Sequence, residues 1–232
     1  MPKRQIIAMG GGGFSMEPDN PLLDNYILKQ CDKDLPKICF IATASGDADG
    51  YIERFYTAFS AKQCDPSHLS LFGGHTNQIE EFVLQQDVMY VGGGNTRNML
   101  VLWREWGLDK MLLKAYQNGT ILSGLSAGAI CWFEEGLTDS VPLELSRLVC
   151  LGILEGSNCP HFDGEPKRQA AYESKVESGE MKAGIACDDS VGLHFVNEKL
   201  ERIIASTQDS FAYRYWVEKE ILKREKLTPI RL

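Results

Sequence analysis

A serine between two glycines is the first residue in this chain whose setting invites covalent chemistry. Gly124-Leu125-Ser126-Ala127-Gly128 follows the apolar run from Thr120 and precedes small residues that can turn directly into a helix. This spacing fits the G-x-S-x-G elbow, in which a sharp strand-to-helix turn lifts a serine hydroxyl clear of the sheet edge. A side chain at either glycine would collide with the turn or with a neighbouring strand. The N–H groups at a helix start favour negative charge developing nearby, and Ala127 offers its own N–H as an oxyanion donor. The same five residues also suit a plain junction at which Ser126 merely caps a helix.

A serine hydroxyl is a weak nucleophile at neutral pH and needs a base within hydrogen-bond reach, itself oriented by an acid. The four histidines are His68, His75, His161 and His194. His68 opens an expected strand at the wrong edge, His75 lies in a loop just past that strand, and His194 alternates within an apolar strand. His161, in Cys159-Pro160-His161-Phe162, is the best base, because proline stiffens the loop that must hold it still. For the acid, Asp188 and Asp189 end an apolar strand, with one expected to face the site and the other solvent. Asp139 and Asp163 are further candidates.

Short apolar strands are expected at 5–9, 36–42, 68–72, 87–91 and 120–125, alternating with helices at 20–31, 51–62, 76–84, 97–106 and 108–118. This alternation predicts an α/β fold with a doubly wound, mostly parallel sheet, whose loops converge at the strands' carboxyl ends. Three glycine-bearing loops, after Met9, Val91 and Leu125, would then meet on one edge. The run from Gly10 to Gly13 lacks the lysine and hydroxyl of a phosphate loop, so a tight turn is expected there. After Phe133 the segments 152–156 and 158–166 read as irregular, 168–178 as a polar helix, and 184–190 as a strand running into an acidic turn. Antiparallel strands of an added sheet are expected at 191–196, 200–205 and 211–218, with Asn197-Glu198 as a turn. One domain over 1–232 is expected.

The chain has 232 residues, 44% of them hydrophobic and 24% charged, with a net charge of −8, which suits a globular protein with an ample core. An acidic balance argues against a nucleic-acid or anionic-membrane partner. Seven scattered cysteines, never spaced C-x-x-C, fit reduced thiols better than disulfides or a zinc site. The first apolar stretch is too short for a signal peptide, so a cytoplasmic location is expected. No metal or organic cofactor is expected, and a homodimer is compatible with the sequence.

Val91-Gly-Gly-Gly-Asn-Thr96, Gly124-Leu-Ser-Ala-Gly-Ala129 and Pro160-His-Phe162, in this order, resemble the peptidase E family of serine peptidases, neighbours of cyanophycinase. The resemblance implies a fold like that of class I glutamine amidotransferases, with serine where those enzymes carry cysteine. It implies Ser126 as nucleophile, His161 as general base and Asp189 as third member, where the family usually has glutamate. It implies Gly94 and Ala127 as oxyanion donors, with Asn95, beside the former, as a substrate-binding candidate. Peptidase E reads a substrate aspartate with an arginine beyond the catalytic histidine. The loop is shorter here, leaving Lys167 and Arg168 as the basic candidates, and either Asp139 or Ser140 matches an aspartate that the family carries before a proline. The expected activity is hydrolysis of short peptides by an exopeptidase or dipeptidase through an acyl-enzyme, with aspartyl specificity as a narrower expectation. Two other readings are an α/β-hydrolase-type esterase, pairing Asp163 or Asp189 with His194, and a flavodoxin-like protein whose glycine loops cradle an anion.

Overall fold

The computed structural model describes residues 2–73, 78–141 and 144–232. His75, Pro142 and the start of the helix expected at 76–84 lie outside the described residues. The elements of the first half are β1 (Gln5–Met9), α1 (Gly13–Met16), α2 (Leu22–Leu28), β2 (Lys37–Ile41), α3 (Asp49–Phe59) and β3 (Asp65–Leu69). They continue with α4 (Ile79–Leu84), β4 (Val88–Val91), α5 (Thr96–Trp106), α6 (Leu108–Gln117), β5 (Ile121–Leu125) and α7 (Ala127–Ile130). The second half holds β6 (Phe133–Val141), β7 (Glu144–Val149), β8 (Leu154–Cys159), α8 (Arg168–Glu177) and β9 (Gly184–Cys187). The chain closes with β10 (Val191–Val196), β11 (Lys199–Ala205), β12 (Ala212–Glu218), β13 (Ile221–Leu227) and β14 (Ile230–Arg231).

Eight strands form one sheet in the order β14-β11-β10-β1-β5-β4-β2-β3, and the five strands from β1 to β3 run parallel. Side chains of a strand alternate between faces, so the apolar run of β1 has to serve two cores. Ile6 and Ala8 pack with Met99, Trp103 and Leu112 of α5 and α6 on one face. Ile7 and Met9 pack with Phe14, Leu23 and Phe55 from α1, α2 and α3 on the other. The Phe14 ring meets those of Phe40, Phe55 and Tyr90 edge-on at 5.4–5.6 Å, which fixes the loop after β1 against the sheet.

The second half differs from the expectation. Residues 152–166 are not wholly irregular: β8 joins a second, six-stranded sheet in the order β13-β12-β9-β8-β6-β7. The expected added sheet does not form as one unit either. β10 pairs antiparallel with β1 and carries β11 into the main sheet, while β12 pairs with β9 in the second. Helix α8 covers that second sheet by burying Tyr172 and Val176 beside Phe162 and Tyr215. The hairpin residues Asn197 and Glu198 have φ of 48° and 62°, and Lys219 and Glu220 have 51° and 63°. Positive φ at both centres is the twist-matched geometry of a two-residue hairpin.

His194 lies within β10, opposite Ile7 of β1, and is 1% exposed. Its Nδ1 meets the Tyr26 hydroxyl at 2.8 Å and its Nε2 meets Gln5 Oε1 at 3.1 Å. Burial, with Lys3 and Arg202 adding to it, lowers its pKa to about 4. The unfolded chain therefore binds a proton that the native chain refuses between pH 6.5 and 4, and stability falls as pH falls through that window. The expected loss is about 3 kcal/mol by pH 4. Urea unfolding of wild type and His194→Gln should show a stability difference that varies across this window, and a proton NMR titration of His194 should show no protonation above pH 5.

Candidate active site

The carboxyl ends of β5, β1 and β9 and the loop after β8 bring the candidate residues to one edge. Ser126 follows β5 directly and has φ 55° and ψ −113°, outside the ordinary wells of an L-residue. Such a conformation costs about 1–3 kcal/mol and persists where the surroundings impose it. Here the Ser126 N–H donates to Met9 O at 3.1 Å, and a Cβ at Gly124 or Gly128 would run into the Val91 carbonyl. Among the described residues the Ser126 hydroxyl makes no hydrogen bond, so it is not the cap of α7. That helix is a single turn from Ala127 to Ile130, and β6 begins at Phe133. A four-residue helix has little macrodipole, so local N–H groups are what the elbow offers a developing anion.

Three consecutive glycines follow β4, and the middle one, Gly93, faces this serine. A Cβ on Gly93 would sit 3.3 Å from the Ser126 Cβ. The Gly93 N–H donates to the Tyr51 hydroxyl at 3.2 Å and the Asn95 N–H to Ala44 O at 2.8 Å. Among the described residues the Gly94 N–H between them has no acceptor. Gly94 has φ of +137°, and a side chain there would press on the Ala44 carbonyl. Gly94→Ala must therefore displace this loop, and kcat should drop by about a hundredfold to a thousandfold, the usual cost of one oxyanion donor. Steady-state kinetics on any substrate found for the wild type checks this. Tyr51, which no sequence motif marks, is buried against Phe14 and Phe40 and anchors the loop from below.

His161 and Asp189 meet on the other side of β1. His161 Nδ1 lies 2.6 Å from Asp189 Oδ1, with the side chains 14% and 25% exposed. This contact leaves Nε2 as the second ring nitrogen, without a hydrogen bond among the described residues. His161 has φ of 50° and Ser190, after the acid, 66°, so three corners of the site hold left-handed backbone. The expected division of the paired aspartates needs correction. Asp188 does not face solvent: it is 3% exposed and its Oδ2 accepts the Phe211 N–H at 2.8 Å. Burial raises its pKa to about 6. Gly11 and Gly164 flank the Asp189 carboxylate so closely that a Cβ at either would overlap an oxygen. The glycine run after β1 is thus a floor for the acidic turn, and the turn expected from sequence gains a reason.

Two residues expected to bind substrate are engaged elsewhere. Asn95 Oδ1 accepts the Asn98 N–H at 2.9 Å as the cap of α5, and its Nδ2 donates to Ser140 O at 3.1 Å. Arg168 is 2% exposed, not a surface cation. Its Nε and Nη2 donate to Glu165 at 2.6 and 3.3 Å and its Nη1 to Leu137 O at 3.2 Å. Asp139 is two-thirds exposed and lies 3.8 Å from Arg168. Ser140 bonds Thr138 and the Arg97 N–H. Asp163 accepts the Asp189 N–H. His68, exposed in β3, meets the Tyr56 hydroxyl. Cys131, five residues past the serine, is no alternative nucleophile, since burial pushes its thiol well up. His194, sealed by Tyr26 and Gln5, cannot serve as the base an esterase arrangement would need. Among the described residues no group of His, Cys, Asp and Glu converges as a metal site, and no helix is long and apolar enough to cross a membrane.

A model of peptidase family S51 matches residues 6–203. A Bacillus subtilis (strain 168) protein described as an uncharacterized peptidase, YgaJ, is 55% identical over 211 residues, 91% of each chain. A Listeria monocytogenes protein described as an uncharacterized peptidase, Lmo0363, is 25% identical over 60% of this chain and 72% of its own. Among solved structures, a peptidase from an acI-B1 Actinobacterium superposes with a TM-score of 0.69 at 16% identity, covering 97% of this chain and 94% of its own. A Listeria monocytogenes EGD-e protein assigned to peptidase E gives 0.58 at 16% identity, covering 97% and 100%. These likenesses agree with the mixed α/β architecture described above.

Proposed function

The chain belongs to peptidase family S51 and is a serine peptidase, and we propose that it hydrolyses short peptides through Ser126, His161 and Asp189. The observation that carries the proposal is the 2.6 Å contact of His161 with Asp189, across β1 from a strained serine whose hydroxyl is uncommitted. Ser126 Oγ attacks the scissile carbonyl while His161 Nε2 takes its proton. The Gly94 and Ala127 N–H groups receive the oxyanion. His161 then protonates the leaving amine, and an acyl-enzyme on Ser126 is released when His161 activates water. Asp189 holds the Nδ1–H tautomer and stabilises the imidazolium that forms. Aspartyl specificity is no part of this reading, because the guanidinium of Arg168 is already neutralised by Glu165.

A fluorophosphonate should add once per chain, on the peptide that carries Ser126. A panel of dipeptides and aminoacyl amides should contain substrates whose hydrolysis the same reagent stops. An unlabelled Ser126, or hydrolysis that persists in the fully labelled protein, overturns the proposal.

A further inference from the structure

We propose that Asp163 is a positioning residue that fixes the Asp189 turn against His161. The inference rests on the reading of Ser126, His161 and Asp189 just given. The loop after β8 is joined to the end of β9 by three successive residues, each through a different group. His161 reaches the Asp189 carboxylate with Nδ1 at 2.6 Å. Phe162 donates its N–H to Cys187 O at 3.2 Å and buries its ring beside Tyr213 and Tyr215, with centroids 5.3 and 5.8 Å away. Asp163 Oδ1 accepts the Asp189 N–H at 2.8 Å.

Asp189 is therefore gripped at both ends, its backbone by Asp163 and its carboxylate by His161. With the N–H fixed, only rotation about the side-chain bonds is left to place the carboxylate, and Gly11 and Gly164 close in on its two oxygens. The grip also opposes the strain at His161, since Phe162 and Asp163 secure the chain just beyond its left-handed φ of 50°. Asp163 is exposed and lies in no ion pair among the described residues, so little of the fold depends on its charge. Asp163 thus acts through the placement of its neighbours, the acid above all, and not by contact with the reacting atoms.

Asp163→Asn keeps an oxygen that can accept the Asp189 N–H, whereas Asp163→Ala removes it. The Ala variant should lose about tenfold to a hundredfold in kcat, the scale on which small misplacements near a reacting group act. KM should stay near the wild-type value, the rate of phosphonate labelling at Ser126 should fall by the same factor, and Asn should restore most of both. Wild-type kcat in Asp163→Ala overturns the inference. An Asn variant as slow as the Ala variant also overturns it, by assigning the effect to charge. Ser126→Ala, run alongside, separates the layers. If that variant still turns over, the site reading falls and this inference with it; if it is dead while Asp163→Ala is unimpaired, only the positioning role falls.

Discussion

Ser126→Ala should lower turnover by about a million-fold, the scale reached when the nucleophile of a serine peptidase is removed. The fold should survive nearly unchanged, and the structure says why. The Ser126 hydroxyl bonds nothing among the described residues, so alanine leaves no partner unsatisfied. The strain at φ 55° and ψ −113° comes from the Cβ, which alanine keeps. Thermal and urea midpoints should therefore stay within about 0.5 kcal/mol of wild type, as for a substitution that touches no packing. Ser126→Gly makes a second control. It relieves about 1–3 kcal/mol of backbone strain, against about 0.5–1 kcal/mol of added unfolded-chain freedom. The glycine variant should thus be at least as stable as the alanine one and equally inactive. Turnover by either variant within tenfold of wild type removes Ser126 from the chemistry.

The parts of this arrangement that were legible in the sequence share one property: they are runs buried on both faces and punctuated by glycine. Strands β1, β4 and β5 read as continuous apolar runs because helices cover both sides, and each ends in a loop where backbone must approach backbone. In the second sheet only β9 and β12 gave a strand signal. Strands β6 and β8 bury Glu135, Ser157 and Asn158, which sequence patterning reads as surface. Glu135 and Ser157 are tolerated because Glu135 accepts from Arg147 Nε and from the Lys182 N–H, and Ser157 bonds Tyr172 and Lys182 O. Those partners are distant in the chain. Strand β13, largely exposed, alternates too weakly to be seen, and its turn uses Lys219 and Glu220 in place of the Asn-Gly that would announce it. Strand β3 begins three residues before its expected start and includes Pro66, which an edge strand can accommodate. At the site, residue type and spacing singled out Ser126 and His161 and left the acid open between Asp188 and Asp189, and only the resemblance put it on Asp189. The resemblance also pointed to Asn95 and Arg168, whose side chains cap α5 and pair with Glu165, since an amide or a guanidinium suited to a ligand is equally suited to those tasks.

Asp189→Asn should cost about ten-thousandfold in kcat, the scale seen when a triad acid becomes an amide and the histidine takes the wrong tautomer. In wild type, the carboxylate oxygen 2.6 Å from His161 Nδ1 can only accept, which obliges that nitrogen to carry the proton and leaves Nε2 basic. An asparagine that turns its NH2 toward Nδ1 moves the proton to Nε2, and the base is lost although every heavy atom stays in place. Flipping the amide to present its oxygen instead puts the NH2 beside Gly164, which has no side chain to accept from it. Asp188→Asn is the matched control. Its Oδ2 serves the Phe211 N–H, which an asparagine oxygen also accepts, and burial already draws this carboxyl toward the neutral form. That variant should keep kcat close to wild type and lose none of its stability at neutral pH, where removal of a buried charge offsets the change. Neighbouring residues of one type are thereby given opposite fates by which group each one faces. Equal losses in the two variants, or a larger loss at Asp188, would make the His161–Asp189 contact a structural ion pair and transfer the orienting role to another acid.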